Sequence, residues 1–316
     1  MAVVATIAIY DGSVELQQMR YVVAVAETAN FTRAAERCRV VQSALSHQIA
    51  RLERELGARL FERTSRRVAL TPAGEAFLPA ARQALEAADR ARAEVAAAGG
   101  ELRGRLAIGA IPTVTAVDLP AALQSFHLRH PQVRITLRSG ASDALAEQVR
   151  QGGLDIAFLG LSPKTRPKGV QGRVLARGEL VALVAPGHPL AGETGVDLHR
   201  LAQEVFVDWP AGSAGRVQSD EAFAAAGLVR EVAFEISNAG LMARLVRLGL
   251  GVAMMPASFV PELGDVHVVE LRDPPTRIER LVWRHPRPSP AAAAFLDALN
   301  LPAERVPDGV PRAGTG

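Results

Sequence analysis

The feature that most constrains this chain is a row of aliphatic residues on one side of a segment whose other side is polar. The row recurs at a spacing of three or four residues, at Leu45, Ile49, Leu52 and Leu56. This spacing predicts a helix with one buried face, and Gly57 supplies its C-terminal stop. The opposite face carries short or polar side chains, at Gln42, Ser43, Ser46, His47, Ala50 and Arg51. Such side chains can approach the edges of DNA bases, so this helix is a candidate for contact with DNA.

Two more helices are predicted before it. Between Glu15 and Ala29 the apolar residues fall on one helical stripe, at Leu16, Met19, Val23 and Ala26. Thr32 belongs to a residue type that caps helices, and we expect it to open a short second helix that ends at Cys38. Because only residues 39–41 separate the second helix from the third, the two form a tight pair whose outer face suits a major groove.

The segment around these helices is basic. Residues 33–67 hold nine arginines against four glutamates, whereas the whole chain has a net charge of only +3. A local excess of positive charge is typical of contact with a polyanion, although a solvated charged face has the same composition. Residues 60–63 and 68–70 are predicted as two strands joined by a basic turn, a wing whose Arg63, Arg66 and Arg67 can contact phosphates.

A long helix is predicted from Thr71-Pro72, an N-cap followed by a proline at the first helical position, to residue 98. Apolar residues step along it by three and four, at Leu78, Ala81, Leu85, Ala88 and Val95, with Arg92 interrupting the row. Two interpretations stay open for this row: pairing with the same helix of a second copy in a dimer, or packing on its own domain. Residues 99–103 begin with two glycines and are predicted as a hinge.

From residue 104 to residue 300 strands and helices alternate, which is typical of a doubly wound α/β domain. The strands are predicted at residues 106–111, 133–137, 154–159, 180–184, 205–207, 232–236, 252–255 and 278–283. Prolines and glycines predict a flexible tail over residues 301–316. Residues 1–13 are predicted as a disordered extension, because the helical pattern begins only after them.

Composition excludes several classes of protein. The single cysteine, Cys38, cannot form an internal disulfide or frame a zinc site, and its place on the buried side of the second helix favours packing over redox sensing. No apolar run reaches the roughly 18 residues of a membrane helix, and the first residues lack the basic region of an export signal. We therefore expect a cytoplasmic protein that does not contact a membrane.

The chain resembles LysR-type transcriptional regulators, and the resemblance is carried first by residues 16–79. It includes the sequence NFTRAAERCRVVQSALSHQIARLERELGARLFERTSRRVALTPAGEAFLP and continues through RLAIGAIPTV, GGLDIAFLG, GHPLAG and LVRLGLGVAMMP. It implies an N-terminal, all-α winged helix-turn-helix at residues 14–71, a linker helix at residues 72–98, and a C-terminal two-lobed α/β domain similar to type II periplasmic binding proteins. It also implies double-stranded DNA, RNA polymerase and further copies of the chain, as homodimer or homotetramer, as partners.

The resemblance implies a DNA-binding regulator modulated by a small-molecule effector. Lobe I would comprise residues 104–177 and 277–300, and lobe II residues 178–276, with the effector in the cleft. The expected DNA contacts are Thr32, Arg33, Gln42, Ser43, Ser46, His47, Arg51, Arg63, Arg66 and Arg67. Two positions depart from the family pattern: Val41 cannot cap the third helix as the usual serine does, and His47 replaces a fixed positive charge.

Cleft residues are expected where strands end and helices begin. In Ile111-Pro112-Thr113-Val114 a strand ends and a helix is expected to begin, so free N–H groups and the Thr113 hydroxyl would point into the cleft. The same logic extends the set to Thr113, Val114, Ser142, Gly160, Asp208, Trp209, Ser213, Ser237 and Asn238. Thr113 has a plainer alternative as a helix cap, and the two roles are compatible. Several positive helix ends at one cleft favour an anionic effector such as a carboxylate, although Asp208 would oppose that charge.

Two rival functions are less consistent with the sequence. An enzyme is disfavoured because residues 211–215 lack the leading glycine of a nucleophile elbow and Gly249-Leu250-Gly251 lacks the third glycine of a dinucleotide motif. The pair His127 and His130 has no carboxylate or cysteine nearby in sequence, so we expect no metal site and no cofactor. A transporter's solute-binding protein would need an export signal and would not need the basic N-terminal segment.

Overall fold

The computed structural model describes residues 14–63, 68–99, 101–284 and 288–301. Within these ranges the chain divides into two compact units, with the main division between Val95 and Ala96. The predicted extension at residues 1–13, Arg66 and Arg67 of the wing turn, and the predicted tail beyond Leu301 lie outside the described residues.

The first unit is helical with a short two-stranded wing. Its elements are α1 (Leu16–Thr28), α2 (Phe31–Cys38), α3 (Gln42–Leu56), β1 (Phe61–Arg63), β2 (Val68–Leu70) and α4 (Pro72–Ala98). The predicted aliphatic row forms its core, since Leu45, Ile49 and Leu52 are fully buried in one cluster with Val22 and Val25 of α1. Full burial of each such side chain stabilises the fold by about 2 kcal/mol.

The residues at the ends of α2 and α3 show which local signals determine where these helices begin and end. The prediction that Thr32 caps α2 is wrong, because the Asn30 side chain accepts the Arg33 N–H at 3.0 Å and the helix begins at Phe31. Ala34 and Ala35 lie on the buried side of this helix. Helix α3 begins at Gln42 with Val41 in the N-cap position, and it ends at Gly57 in the left-handed conformation, as expected.

Helix α4 begins at the predicted cap. The Thr71 hydroxyl accepts the Gly74 N–H at 3.1 Å and donates to the Arg59 carbonyl at 2.5 Å. Gly74 has no substitute at this contact, because a Cβ there would lie 2.1 Å from the Leu60 carbonyl oxygen. The wing and the long helix are therefore joined by close backbone packing.

The second unit is an α/β structure. Its strands are β3 (Gly104–Ala110), β4 (Val133–Ser139), β5 (Ile156–Leu161), β6 (Val170–Val184), β7 (Val205–Asp208), β8 (Glu231–Glu235), β9 (Ala253–Pro256), β10 (His267–Val269) and β11 (Thr276–Arg284). Its α-helices are α5 (Leu119–Arg129), α6 (Ser142–Gln151), α7 (Leu198–Leu201), α8 (Ala214–Ala225), α9 (Ala239–Arg247) and α10 (Pro290–Ala298). Two 3₁₀ helices occupy Pro189–Gly192 and Ala257–Leu263.

Strand β6 runs through two lobes of this unit. The described strands form a seven-stranded mixed sheet in the order β10-β6-β11-β5-β3-β4, with β9 also on β6, and β7 pairs with β8 separately. The first part of β6 pairs with β11, whereas residues 180–184 pair with β9 and β10. One lobe has a core that includes Phe126, Phe158 and Phe295, and the other a core that includes Phe206 and Phe223. The predicted two-lobed α/β fold is confirmed, and the sequence analysis missed β10 and the first half of β6.

Candidate functional site

The outer face of α3 is exposed to solvent. Gln42, Ser43, His47 and Arg51 are exposed and Ser46 is half-buried, above an aliphatic row that is fully buried. Thr32 and Arg33 are also exposed, on α2. Arg63 is the last residue of β1. The face therefore combines hydrogen-bonding groups with positive charge on a rigid support.

Polar contacts hold α3 against its neighbours. The Glu53 carboxylate accepts the N–H groups of Leu60 and Phe61, at 2.8 and 3.2 Å, which fixes the start of the wing against the helix. The buried Gln18 side chain of α1 donates to Gln48 at 3.5 Å. Arg51 donates to Glu55 at 2.8 Å, so a carboxylate already neutralises part of its charge.

A cavity of about 590 Å³ opens in the second unit between its two lobes. Most of the predicted cleft residues line it, namely Thr113, Ser142, Gly160, Trp209, Ser213, Ser237 and Asn238. Apolar side chains, among them Ile111, Leu180 and Met254, form other parts of its wall. A cavity of this size with a few polar groups is typical of a small-molecule site.

The expectation that a helix follows Thr113 directly is wrong. Residues 112 and 113 form a turn, and α5 begins only at Leu119, where the Asp118 side chain caps it. Thr113 reaches the cleft through a different contact, since its hydroxyl accepts from Arg277 Nη1 at 2.9 Å. Val114 is not among the lining residues and packs against the two core clusters of lobe I.

Arg277, which the sequence pattern did not predict, is the one charged side chain among the described residues that line the cavity. It lies on β11, 164 residues after Thr113, and is only 6% exposed. Its Nη2 donates to the Thr113 carbonyl at 2.9 Å and to Glu279 at 3.3 Å. Burial lowers the pKa of Arg277, and the Glu279 carboxylate acts in the opposite direction.

Glu279 accepts hydrogen bonds from backbone N–H groups that were expected to face a ligand. Its carboxylate accepts from the backbone N–H groups of Thr115 and Ala116, both at 3.0 Å, and from the Thr115 hydroxyl at 2.7 Å. Glu279 is itself absent from the lining residues, whereas its partner Arg277 is present. The pair therefore turns its positive end toward the cavity.

Three helices begin at the cavity wall. Ser142 is the first residue of α6, Ser213 caps α8 by accepting the Arg216 N–H, and Asn238 caps α9 by accepting the Leu241 N–H at 2.9 Å. Ser142 also exchanges hydrogen bonds with the backbone of Gly160, at 3.0 and 3.1 Å. The positive ends of three helix dipoles thus add to the charge of Arg277.

Asp208 does not reach the cavity, which corrects its predicted role. Its side chain is fully buried and pairs with Arg230, whose guanidinium lies over the rings of Phe206 and Phe223. Burial raises the pKa of Asp208, and Arg230 acts in the opposite direction. Asp208 also accepts the Trp209 N–H at 2.6 Å, so its role is to hold the loop that carries Trp209.

Hydrogen bonds cross between the lobes at the cavity. The Gln218 side chain of α8 donates to the Gly160 carbonyl of β5 at 3.1 Å, and the hydroxyls of Thr115 and Ser258 lie 2.7 Å apart. Gln218 is also among the lining residues. Both contacts depend on the angle between the lobes.

The residues of the apolar row of α4 differ in how far they are buried. Ala81 is fully buried within the unit, Leu78, Leu85 and Ala88 are half-buried, and Val95 is 76% exposed. The first part of the row therefore packs on its own domain, and the end of the row is open.

In the part of the chain that is described, no group of three His, Cys, Asp or Glu residues could hold a metal ion. Within the same residues, no helix combines the length and the apolar character needed to cross a membrane. Cys38 is half-buried, and burial raises the pKa of its thiol.

Comparison with known proteins finds one family across both units. Residues 16–75 match the family described as bacterial regulatory helix-turn-helix protein, lysR family, and residues 99–301 match the LysR substrate binding domain. The HTH-type transcriptional regulator ShiR of Corynebacterium glutamicum is 35% identical over 86% of this chain and 89% of its own length.

Solved structures extend the comparison. Full-length CbnR complexed with its target DNA superposes with a TM-score of 0.64 at 26% identity, over 91% of this chain and 99% of CbnR. The effector binding domain of QuiR in complex with shikimate superposes with a TM-score of 0.54 at 25% identity, over 62% of this chain and 95% of that domain.

Proposed function

The chain belongs to the LysR family of transcriptional regulators, and from this premise we propose which residues contact DNA and which class of effector the cleft accepts. A member of this family binds DNA through its helix-turn-helix, and its second unit binds a small-molecule effector. The DNA sequence and the effector that the protein recognises depend on the side chains at the two sites.

We propose that α3 lies in the major groove with its exposed face toward the bases. Gln42, Ser43, Ser46 and His47 are exposed or half-exposed, and their groups can hydrogen-bond to base edges. Phosphates would be contacted by Thr32, Arg33 and Arg51 and by the wing arginines 63, 66 and 67. The observation that carries this proposal is the polar face standing over the buried row Leu45, Ile49 and Leu52.

An added negative charge tests the assignment of this face. Ser43→Glu places a carboxylate in the major groove, where the negative potential of the DNA repels it, so binding of the full-length protein to duplex DNA at low ionic strength is expected to fall at least about tenfold. Thr136→Glu adds the same charge at an exposed position of the second unit and is the matched control. Equal binding by the two variants would contradict the assignment.

We propose that the effector is a small organic anion, with a carboxylate as its charged group. The supporting observation is that Arg277 is the single charge on the described cavity wall and that its carboxylate partner Glu279 stands behind it. The apolar wall suits the carbon skeleton of such a molecule. QuiR, whose effector domain has the same fold, was solved with shikimate, itself a carboxylate.

Matched ligands test the charge requirement. Shikimate and benzoate are compared with methyl shikimate and benzamide, which keep the skeleton and lack the charge. A carboxylate that binds the folded state raises the melting temperature of the full-length protein, and Arg277→Gln is expected to remove the shift. Equal shifts with the neutral partners, or no shift with either carboxylate, would reject an anionic effector.

We further propose that paired α4 helices join two copies and that dimers assemble into tetramers on DNA. Closure of the cleft would change the spacing of the DNA-binding units and so the bend of the DNA, which RNA polymerase would sense in the cytoplasm. Light scattering of the full-length protein with and without DNA tests the assembly. We also propose that the effector is bound without turnover, so mass spectrometry should recover it unchanged.

A further inference from the structure

The turn between α2 and α3 contains two residues of types that are unfavourable at the backbone positions they occupy. It comprises Arg39, Val40 and Val41. Val40 packs against the core of the first unit, so its presence has an ordinary structural reason. Arg39 is exposed and Val41 is 68% exposed, so neither is there to fill the core.

Arg39 adopts a conformation that favours glycine. Its φ is 56° and its ψ is 45°, the left-handed region in which a Cβ crowds the following carbonyl. Glycine adopts this conformation freely, and asparagine does so more readily than arginine. An arginine at this point therefore carries backbone strain that a glycine would not.

Val41 occupies the N-cap of α3, where its side chain can accept no hydrogen bond. Serine, threonine, aspartate or asparagine would accept an N–H of the first turn and stabilise the helix. Valine instead presents two methyl groups to solvent, one turn before the exposed methyl of Ala44. These two residues form an apolar spot beside the polar groups of Gln42 and Ser43.

On the premise that α3 lies in the major groove, we propose that Val41, with Ala44, packs on the C5-methyl of a thymine and that Arg39 contacts a neighbouring phosphate. The thymine methyl is the apolar group that the major groove offers, and apolar side chains are its usual partners. The end of the helix that carries Val41 is also the end that approaches the bases in a helix-turn-helix. Val41 is thus a specificity-determining residue that costs the free protein stability.

Uracil substitution tests this directly, because it removes the methyl and leaves the hydrogen-bonding groups of thymine in place. A binding sequence is first selected from random duplex DNA with the full-length protein, and each thymine is then replaced by uracil in turn. The wild type is expected to bind about fourfold more weakly when the contacted thymine is replaced, the factor that about 0.8 kcal/mol per buried methyl corresponds to. Val41→Ser is expected to lose this sensitivity at that one position.

Protein stability gives a second and opposite readout. Val41→Ser supplies the missing cap and Arg39→Gly relieves the strain, so both variants are expected to melt a few degrees higher than the wild type. Arg39→Gly is also expected to weaken binding on every sequence alike and to reduce the salt slope by about one. Val229→Ser, at a valine that is 91% exposed in the second unit, should change neither DNA readout.

The possible results separate this inference from the proposed function. If no sequence is enriched, the assignment of α3 fails and the inference fails with it. If a sequence is enriched and bound but the wild type tolerates uracil at every position, or Val41→Ser keeps the wild-type sensitivity, only the Val41 contact is overturned. A binding loss in Arg39→Gly that occurs on one sequence alone would overturn the phosphate contact.

Discussion

The outer face of α3 and the cleft of the second unit both collect hydroxyl, amide and guanidinium groups, but they hold them differently. On α3 the groups are exposed and come from one short segment. In the cleft the decisive groups are buried and bonded to each other, as Arg277 is to Thr113 and Glu279. An exposed group can be removed with little effect on folding, whereas a buried, interlocked group supports both folding and binding. Substitutions should therefore separate stability from binding in the first unit and couple them in the second.

The largest effect is expected from Glu279→Ala. This change leaves Arg277 buried without its carboxylate partner and frees the N–H groups of Thr115 and Ala116, so the free energy of unfolding should fall by about 3–5 kcal/mol. Urea denaturation of the full-length protein measures it. Glu262→Ala removes an exposed carboxylate and is the control. A loss below about 1 kcal/mol, the size typical of an exposed ion pair, would contradict this role of Glu279.

Gly74→Ala should have the next largest effect, and it locates the rigid point of the first unit. The added Cβ would meet the Leu60 carbonyl at 2.1 Å and Leu70 at 2.9 Å, so the wing and α4 must move apart. We expect a loss of about 2–3 kcal/mol in stability, as for overpacked cores. Gly57→Ala tests a different cost, since there is open space around Gly57 and only its positive φ resists substitution. Equal losses would show that backbone crowding is not the reason at Gly74.

Gln218→Ala should have a smaller effect that is specific to the cleft. It removes the bond from α8 to the Gly160 carbonyl, which still accepts from Ser142 at 3.0 Å. Loss of one such bond costs about 1 kcal/mol. Because the bond joins the lobes, we expect faster hydrogen exchange at the Gly160 amide. An unchanged exchange rate would show that this bond does not restrain the lobes.

The smallest effect on folding is expected for the exposed residues of the first unit. Gln42→Ala and Arg33→Ala should each change the free energy of unfolding by less than about 0.5 kcal/mol. Their effects on DNA should differ, with Gln42→Ala changing base preference at one position and Arg33→Ala weakening binding on all sequences alike. Selection from random DNA and salt titration distinguish the two patterns. Large and similar losses of stability would break the contrast between the two regions.

The sequence predicted the first unit better than the second because its signals are local. The spacing of Leu45, Ile49 and Leu52, the stop at Gly57 and the start at Thr71-Pro72 all act within a few residues, and all proved correct. The wrong cap at Thr32 arose because Asn30 is an equally good cap two residues earlier. The hydrogen bond from the Arg33 N–H to the Asn30 side chain decides between them.

In the second unit the sequence predicted lining residues at the starts of helices, such as Ser213 and Asn238, since helix caps are also local. It could not predict Arg277 beside Thr113, because no periodicity connects residues 164 positions apart. Asp208 was misplaced for the same reason, as its partner Arg230 comes 22 residues later. The first half of β6 was missed because residues 170–179 mix polar and apolar side chains without a clean alternation.

Strands β6 and β11 impose a mechanical condition on the second unit. Each backbone is continuous where the lobes meet, and β11 is hydrogen-bonded to residues 170–179 of β6 except at an irregularity between Glu279 and Arg280. We therefore expect a change in the angle between the lobes to twist the paired segments of these two strands. The restoring force for an empty cleft would then be elastic, and it would be concentrated at the bulge beside Glu279.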